Sequence, residues 1–177
     1  MSMLGYDLLE HAVKDKGLQE PAEILSFMNT QLIEKLYKSN PDGAKDGMDI
    51  SFCKLNLLTK ELTYSGAKND LYVVSDTAIE TLTVDKNSIG YQDKVVYTQA
   101  VYQLNTNTHV YLFTDGYCDQ KGGTENRKFM KPNFKKLLQE IHTLPCAVQK
   151  EKLHEHFMTW KGEQGQKDDI LIVGFSI

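Results

Sequence analysis

The chain has 177 residues, of which 41% are hydrophobic and 25% are charged, and its formal net charge is −4 at a pI near 5.7. This composition is ordinary for a globular protein and excludes wholesale disorder, and the length suits one domain. The mild acidity argues against a nucleic-acid partner, because affinity for duplexes comes largely from Lys and Arg side chains that neutralise phosphates.

Helical periodicity opens the chain. Apolar residues recur on one helical face and predict a first helix that ends near Gly17: Leu4, Leu8, Leu9, Ala12 and Val13. Pro21 fits the first turn of a second helix. The apolar stripe of that helix contains Ile24, Leu25, Met28, Leu32, Ile33 and Leu36. Residues 39–47 are predicted to form a loop because Asn, Asp, Pro and Gly dominate them.

From Met48 onward the hydrophobic period changes to two, which predicts strands. The predicted strands cover residues 50–53, 62–67, 71–74, 79–84, 95–104 and 109–113. Their close spacing indicates antiparallel hairpins or a meander. Two helices over residues 132–142 and 148–160 follow, and a buried strand over 170–175 closes the chain. This order predicts a single α+β layered domain over residues 1–177.

Cysteine usage indicates the cytoplasm. Cys53, Cys118 and Cys146 are odd in number and widely separated, so they form no disulfide framework. The first residues lack the basic and apolar regions of a secretory signal. No apolar run approaches the roughly 18 residues that a membrane span needs. We therefore expect a cytoplasmic protein with no membrane segment in this chain.

Carboxylates stand at the ends of two apolar strands. Asp115 follows one strand and precedes Gly116, whose small size would let a ligand approach, while Asp168 and Asp169 directly precede the last strand. If these strands are neighbouring central strands, Asp115 and Asp168 meet at one end of the sheet. Hard divalent cations prefer such oxygen ligands on rigid elements. Each motif alone also fits an acid that merely opens a turn.

Taken together and in this order, three stretches resemble the SpoIIE/RsbU-type bacterial serine phosphatases of the metal-dependent (PPM, type 2C) protein phosphatase superfamily. The first is DGMDISFC at residues 46–53, which runs on to YSGAKN at 64–69. The second is YLFTDGYCDQ at 111–120, with the glycines at 122–123 and the Lys-Phe pair at 128–129. The third is KDDILIVG at 167–174. The resemblance covers nearly the whole chain.

The resemblance implies an antiparallel β-sandwich flanked by helices and a centre that binds two Mn²⁺ or Mg²⁺ ions. In the family, metal-activated water attacks a phosphoserine or phosphothreonine, so no protein nucleophile is needed. The family motifs place metal ligands at Asp115 and Asp168. Asp169 would support the site or cap a turn. Gly116 and Asp119 are weaker candidates for support, since the loop of Asp119 could bring it near the metals.

One part of the family pattern has no counterpart. The family carries earlier strands with a metal-binding Asp, then an Asp-x-x-Gly-His-Gly segment that leads into a helix resembling residues 1–5. The chain therefore resembles the C-terminal portion of such a domain, N-terminally truncated. We expect weak metal binding and little or no phosphatase activity, because divalent sites need several charged oxygens. Uncovered sheet edges would also favour a homodimer.

The family implies a phosphoprotein partner in bacterial signalling, often an anti-sigma-factor antagonist. Lys128, Lys131, Lys135 and Lys136 could attract a phosphoprotein, although a solvated helix face accounts for them equally well. Two other functions remain open. One is a non-catalytic binding module that keeps the fold without the metal centre. The other is a receiver domain with Asp115 as phosphate acceptor, which fits poorly because that fold alternates strands with helices.

Overall fold

The computed structural model describes residues 2–37, 47–83 and 85–177. These residues form two compact units, and each is described by itself. The first comprises Met1–Asp70 with Leu82–Leu104, and the second comprises Leu71–Thr81 with Asn105–Ile177. No described helix is both long enough and apolar enough to cross a bilayer.

Five helices and nine strands follow one another along the described residues. In the first half they are α1 (Ser2–Glu10), which continues as a π-helical segment (His11–Asp15), α2 (Pro21–Tyr37), β1 (Ile50–Asn56), β2 (Glu61–Ala67), β3 (Leu71–Val74) and β4 (Ile79–Leu82). In the second half they are β5 (Ala100–Gln103), β6 (His109–Phe113), α3 (Gly116–Asp119), β7 (Lys121–Gly122), β8 (Arg127–Lys128), α4 (Lys131–Ile141), α5 (Cys146–Lys161) and β9 (Ile172–Ser176).

In the first unit, α2 packs against a three-stranded antiparallel sheet of order β1-β2-β5, and α1 packs against α2. The apolar stripes predicted for both helices supply most of its core, which contains Leu8, Ala12, Ile24, Leu25, Met28, Leu32, Ala67, Ile89 and Tyr97. Val13 is an exception to the predicted stripe, because its side chain is 44% exposed. Amphipathic periodicity therefore identified these helices and most of their buried face.

In the second unit, α4 and α5 share a core with a four-stranded sheet of order β4-β3-β6-β9. Aromatic rings dominate that core. The side chain of Phe134 is fully buried, and its ring centroid lies 4.9 Å from that of Tyr117 and 5.1 Å from that of Phe113. Such pairs prefer tilted or edge-to-face geometry, which these have. This packed core holds β6 and the start of α3 in place.

The strand predicted over residues 95–104 is shorter in the structure, since β5 covers only Ala100–Gln103. Side chains take the backbone N–H groups just before it. The N–H of Tyr97 donates to Ser26 Oγ at 3.0 Å, and that of Thr98 donates to Asp85 Oδ2 at 2.7 Å. Because these donors are already satisfied, the segment needs no strand partner.

The prediction of a buried last strand was wrong. Strand β9 lies at the edge of its sheet and pairs with β6 on one side, and three of its five residues are exposed. Val173 is 46% exposed and the preceding Leu171 is 60% exposed. The predicted loop over residues 39–47 lies outside the described residues except for Gly47, as does Val84 at the end of the fourth predicted strand.

The half-buried His109 of β6 makes stability depend on pH. Its ring meets that of His142 edge-on, with 5.7 Å between centroids. Burial and then the neighbouring His142 lower the pKa of His109, against a smaller opposing effect of Asp76. The folded state therefore resists protonation. Stability is fully present above the unfolded pKa of about 6.5 and is lost as the pH falls through the lower folded value.

We therefore expect the free energy of unfolding to fall as the pH decreases from about 7 to 5, and to fall less steeply in His109→Gln. Urea denaturation at a series of pH values measures both slopes. The control is His154→Gln, since His154 lies exposed on α5. Equal slopes in His109→Gln and the unchanged protein would contradict the assignment.

Candidate metal site

The predicted acidic residues lie at one end of the four-stranded sheet. Strands β6 and β9 are antiparallel neighbours, with Phe113 at the end of β6 paired to Ile172 at the start of β9. The chain therefore leaves β6 and enters β9 at the same end of the sheet. Asp115 follows β6 by two residues, and Asp168 precedes β9 by four. The expectation that these two strands are neighbours is confirmed, but the expectation that both are central is wrong, because β9 lies at the edge of the sheet.

Thr114 binds the two acidic segments together. Its backbone N–H donates to the carbonyl oxygen of Leu171 at 3.0 Å. Its hydroxyl donates to the carbonyl oxygen of Asp169 at 3.0 Å and accepts from the N–H of Leu171 at the same distance. Sequence reasoning did not single out Thr114. A polar residue between a buried strand and an Asp-Gly pair was the available signal.

Gly116 lets these two segments approach closely. A Cβ atom at Gly116 would overlap the carbonyl oxygen of Asp169 and would lie 3.1 Å from its carbonyl carbon. The backbone of Asp169 therefore fills the space left by the missing side chain, and this space is not open to a ligand. The sequence had suggested the opposite. The absence of a side chain at Gly116 therefore allows the contact between the two acidic segments.

The carboxylates themselves face solvent. Asp115, Asp168 and Asp169 are all exposed. Asp168 Oδ1 accepts the N–H of Asp169 at 2.8 Å, which fixes the local turn. The Asp168 and Asp169 side of the site is a shallow depression of about 310 Å³, lined also by Gln166 and Lys167. Exposed acids on a fixed backbone can bind a cation without a prior cost of breaking buried contacts.

Asp119, at the end of α3, holds the ammonium group of Lys128 next to the site. Its N–H donates to the carbonyl oxygen of Asp115 at 2.9 Å, and its carboxylate forms an ion pair with Lys128 Nζ at 2.6 Å. The hydrogen bond and charge of Asp119, and then the charge of Asp115, raise the pKa of Lys128. Lys128 lies in β8, so the helix face suggested for the lysines does not include it.

The chemistry of the candidate ligands suits a divalent cation. Asp115 and Asp168 offer hard carboxylate oxygens, which suit Mg²⁺ and Mn²⁺. Over residues 2–37, 47–83 and 85–177, no group of three or more His, Cys, Asp or Glu side chains is placed to hold a metal ion. The described residues therefore offer Asp115 and Asp168 as candidate ligands at this end of the sheet, while the carboxylate of Asp119 is engaged by Lys128.

Comparison with solved structures finds the same fold in phosphatases. The SiaA-PP2C domain of Pseudomonas aeruginosa is 26% identical with a TM-score of 0.87, and the match covers 99% of this chain and 67% of that one. The phosphatase domain of SpoIIE from Bacillus subtilis is 12% identical with a TM-score of 0.56, over 98% of this chain and 73% of that one. The catalytic domain of the serine threonine protein phosphatase PstP, in complex with two manganese ions, is 15% identical with a TM-score of 0.64, over 98% and 78%.

No curated protein matches the chain. A family model does: the one described as Stage II sporulation protein E (SpoIIE) matches residues 1–177. The resemblance noted in the sequence and the predicted fold class are therefore both confirmed. Because the model spans its whole length, this chain belongs to the SpoIIE family and has the fold of the PP2C-type serine phosphatase domains of signalling proteins.

Proposed function

We propose that this chain is a metal-dependent protein serine/threonine phosphatase domain of bacterial signalling, with Asp115 and Asp168 as ligands for Mn²⁺ or Mg²⁺. The observation that carries the proposal is the pairing of β6 with β9, because it brings both acidic segments to the same end of the sheet. The two manganese ions in PstP, a protein of the same fold, support the choice of metal.

Each residue of the site has a distinct part in this proposal. When bound, the divalent ions would activate water and neutralise charge on the phosphoryl oxygens. Asp115 and Asp168 would hold them. Thr114 and Gly116 fix the distance between the two acidic segments through their contacts with Asp169. These contacts preorganise the backbone that carries the carboxylates, so only the side chains have to be ordered when a cation arrives.

Turnover by this chain is expected to be slow or absent. Divalent ions in proteins take several charged oxygen ligands, and no group of three or more His, Cys, Asp or Glu side chains among the described residues is placed to hold one. The same observation favours a second candidate function, a non-catalytic module that binds a partner through the phosphatase-like fold. Four further expectations are parts of the proposal. They are a phosphoprotein substrate, the identity of that substrate as an anti-sigma-factor antagonist, a cytoplasmic location, and a homodimer joined through exposed sheet edges.

Metal titration separates the two candidates. We expect Mn²⁺ to bind weakly in calorimetry, to drive slow hydrolysis of p-nitrophenyl phosphate and a phosphoserine peptide, and to lose both effects when EDTA is added. If millimolar Mn²⁺ neither binds nor supports any hydrolysis, the non-catalytic module is the better description. Fast, metal-dependent turnover would contradict the expectation of an incomplete ligand set.

A further inference from the structure

The β7–β8 hairpin is fixed to the end of α5 by Trp160. The indole Nε1 of Trp160 donates to the carbonyl oxygen of Gln120 at 3.0 Å, and the N–H of Gly123 donates to the carbonyl oxygen of Trp160 at 2.9 Å. The ring also meets Phe129 edge-on, with 5.3 Å between centroids. A hairpin with only two residues in each strand would be marginal alone, so these contacts hold it in shape.

Two lysines face each other across this hairpin. Lys121 and Lys128 are directly paired in the antiparallel register, so their side chains project from the same side. Like charges in this arrangement are destabilising. Lys128 has Asp119 as a partner, whereas the structure gives Lys121 no carboxylate within 4.0 Å among the residues it describes. The hairpin thus holds more positive than negative charge on this side.

The lysine pair lies beside the candidate metal site. Lys128 contacts the carboxylate of Asp119, and Asp119 is hydrogen-bonded through its N–H to Asp115. The neighbouring Arg127 projects from the opposite side of the hairpin, since side chains alternate along a strand, and it pairs with Glu125 at 2.9 Å. The excess positive charge is therefore confined to one side, which also carries the contact with Asp119.

We infer that Lys121 and Lys128 form a binding site for the phosphate group of a phosphoserine- or phosphothreonine-containing peptide. A phosphate monoester carries a charge of about −1.5 to −2 at neutral pH, which exceeds the single negative charge of Asp119 and complements the two ammonium groups together. Lysine binds phosphate as a compact point charge. This inference rests on the proposed function and assigns its substrate-phosphate contact to residues other than the metal ligands.

Calorimetric titration of the full chain, without added metal, tests the inference. The probes are inorganic phosphate, a phosphoserine peptide and the same peptide with unmodified serine. We expect only the phosphorylated peptide and inorganic phosphate to bind. Lys121→Gln and Lys128→Gln should each weaken binding about ten-fold, because each removes one hydrogen bond between a charged donor and the charged phosphate. The matched control Arg127→Gln removes one charge from the opposite side and should change affinity less than two-fold.

A further variant separates binding from a purely structural role. Lys121→Glu replaces a like-charge pair with an opposite-charge pair, so it should raise the melting temperature while abolishing phosphopeptide binding. The fluorescence of Trp160, the single tryptophan of the chain, shows whether the hairpin keeps its place in each variant. Unaltered phosphopeptide affinity in Lys121→Glu would overturn the inference.

Other results would overturn it equally. These are equal binding of the unmodified peptide, equal losses in Arg127→Gln and Lys121→Gln, and no binding of either phosphorylated probe to the unchanged chain. Failure of the proposed function looks different. In that case lysine-dependent phosphate binding persists, while millimolar Mn²⁺ neither binds nor produces hydrolysis.

Discussion

Gly122→Ala is expected to lower the free energy of unfolding by about 3 kcal/mol and the melting temperature by roughly 6 to 12 °C. A Cβ atom at this position would overlap the carbonyl oxygen of Trp160 and would lie 2.6 Å from its carbonyl carbon. Both are backbone atoms at the end of α5, so they cannot turn aside as a flexible side chain would. The hairpin must move away, and the hydrogen bond from Gly123 to Trp160 is lost with it.

Thermal and urea denaturation measure this loss, and Gly165→Ala is the matched control. A Cβ atom at Gly165 would meet nothing within 4 Å, so that variant should stay within about 0.5 kcal/mol of the unchanged protein. The emission of Trp160 should shift in Gly122→Ala alone, because only there does the hairpin leave the indole. Equal stability of the two alanine variants would show that the close approach of Gly122 to α5 is wrong.

Much of the fold could be predicted because its signals are local. The stripe on α2 repeats every three to four residues, and each of Ile24, Leu25, Met28 and Leu32 is buried as that repeat requires. The placement of Asp115 and Asp168 at one sheet edge followed from their positions next to two apolar strands, once these strands were taken as neighbours. Local pattern was sufficient for the helix, whereas the placement of the two acids also needed the assumption that the strands are neighbours.

What could not be predicted depends on contacts between distant residues. The apolar run over residues 170–175 reads the same in a central strand and in an edge strand, and only the neighbours in the sheet decide its burial. The contact between Gly122 and Trp160 joins residues 38 positions apart, and no periodicity announces it. The shared side of Lys121 and Lys128 depends on the register of a very short hairpin.

The role of Asp169 illustrates the same distinction within the site. Its sequence position next to Asp168 suggested support by the carboxylate or a turn cap. In the structure its main-chain carbonyl accepts the hydroxyl of Thr114 and packs against Gly116, while its side chain is exposed. A backbone contact leaves little trace in residue identity, because any side chain could occupy that position. The glycine and threonine opposite it carry the signal instead.

Asp115→Asn and Asp168→Asn are each expected to weaken Mn²⁺ binding at least ten-fold and to abolish whatever Mn²⁺-dependent hydrolysis the chain supports. Each substitution removes one of the two proposed charged oxygen ligands, and divalent ions depend on ligand charge for affinity. A ligand that binds the folded state raises its stability by an amount set by the ratio of ligand concentration to Kd. Mn²⁺ should therefore raise the melting temperature of the unchanged chain and not that of either variant.

Two further substitutions make this test specific. Asp169→Asn keeps the main-chain carbonyl that binds Thr114, so it should retain most of the Mn²⁺ effect. Asp7→Asn removes a charge from an exposed position on α1 and should retain all of it. If all four variants respond to Mn²⁺ alike, the ion binds elsewhere or nonspecifically, and the assignment of Asp115 and Asp168 fails. A loss confined to Asp115→Asn and Asp168→Asn would show that the metal binds at the end of the sheet where β6 ends and β9 begins. At that end the contacts of Thr114 and Gly116 with Asp169 hold the two acidic segments together.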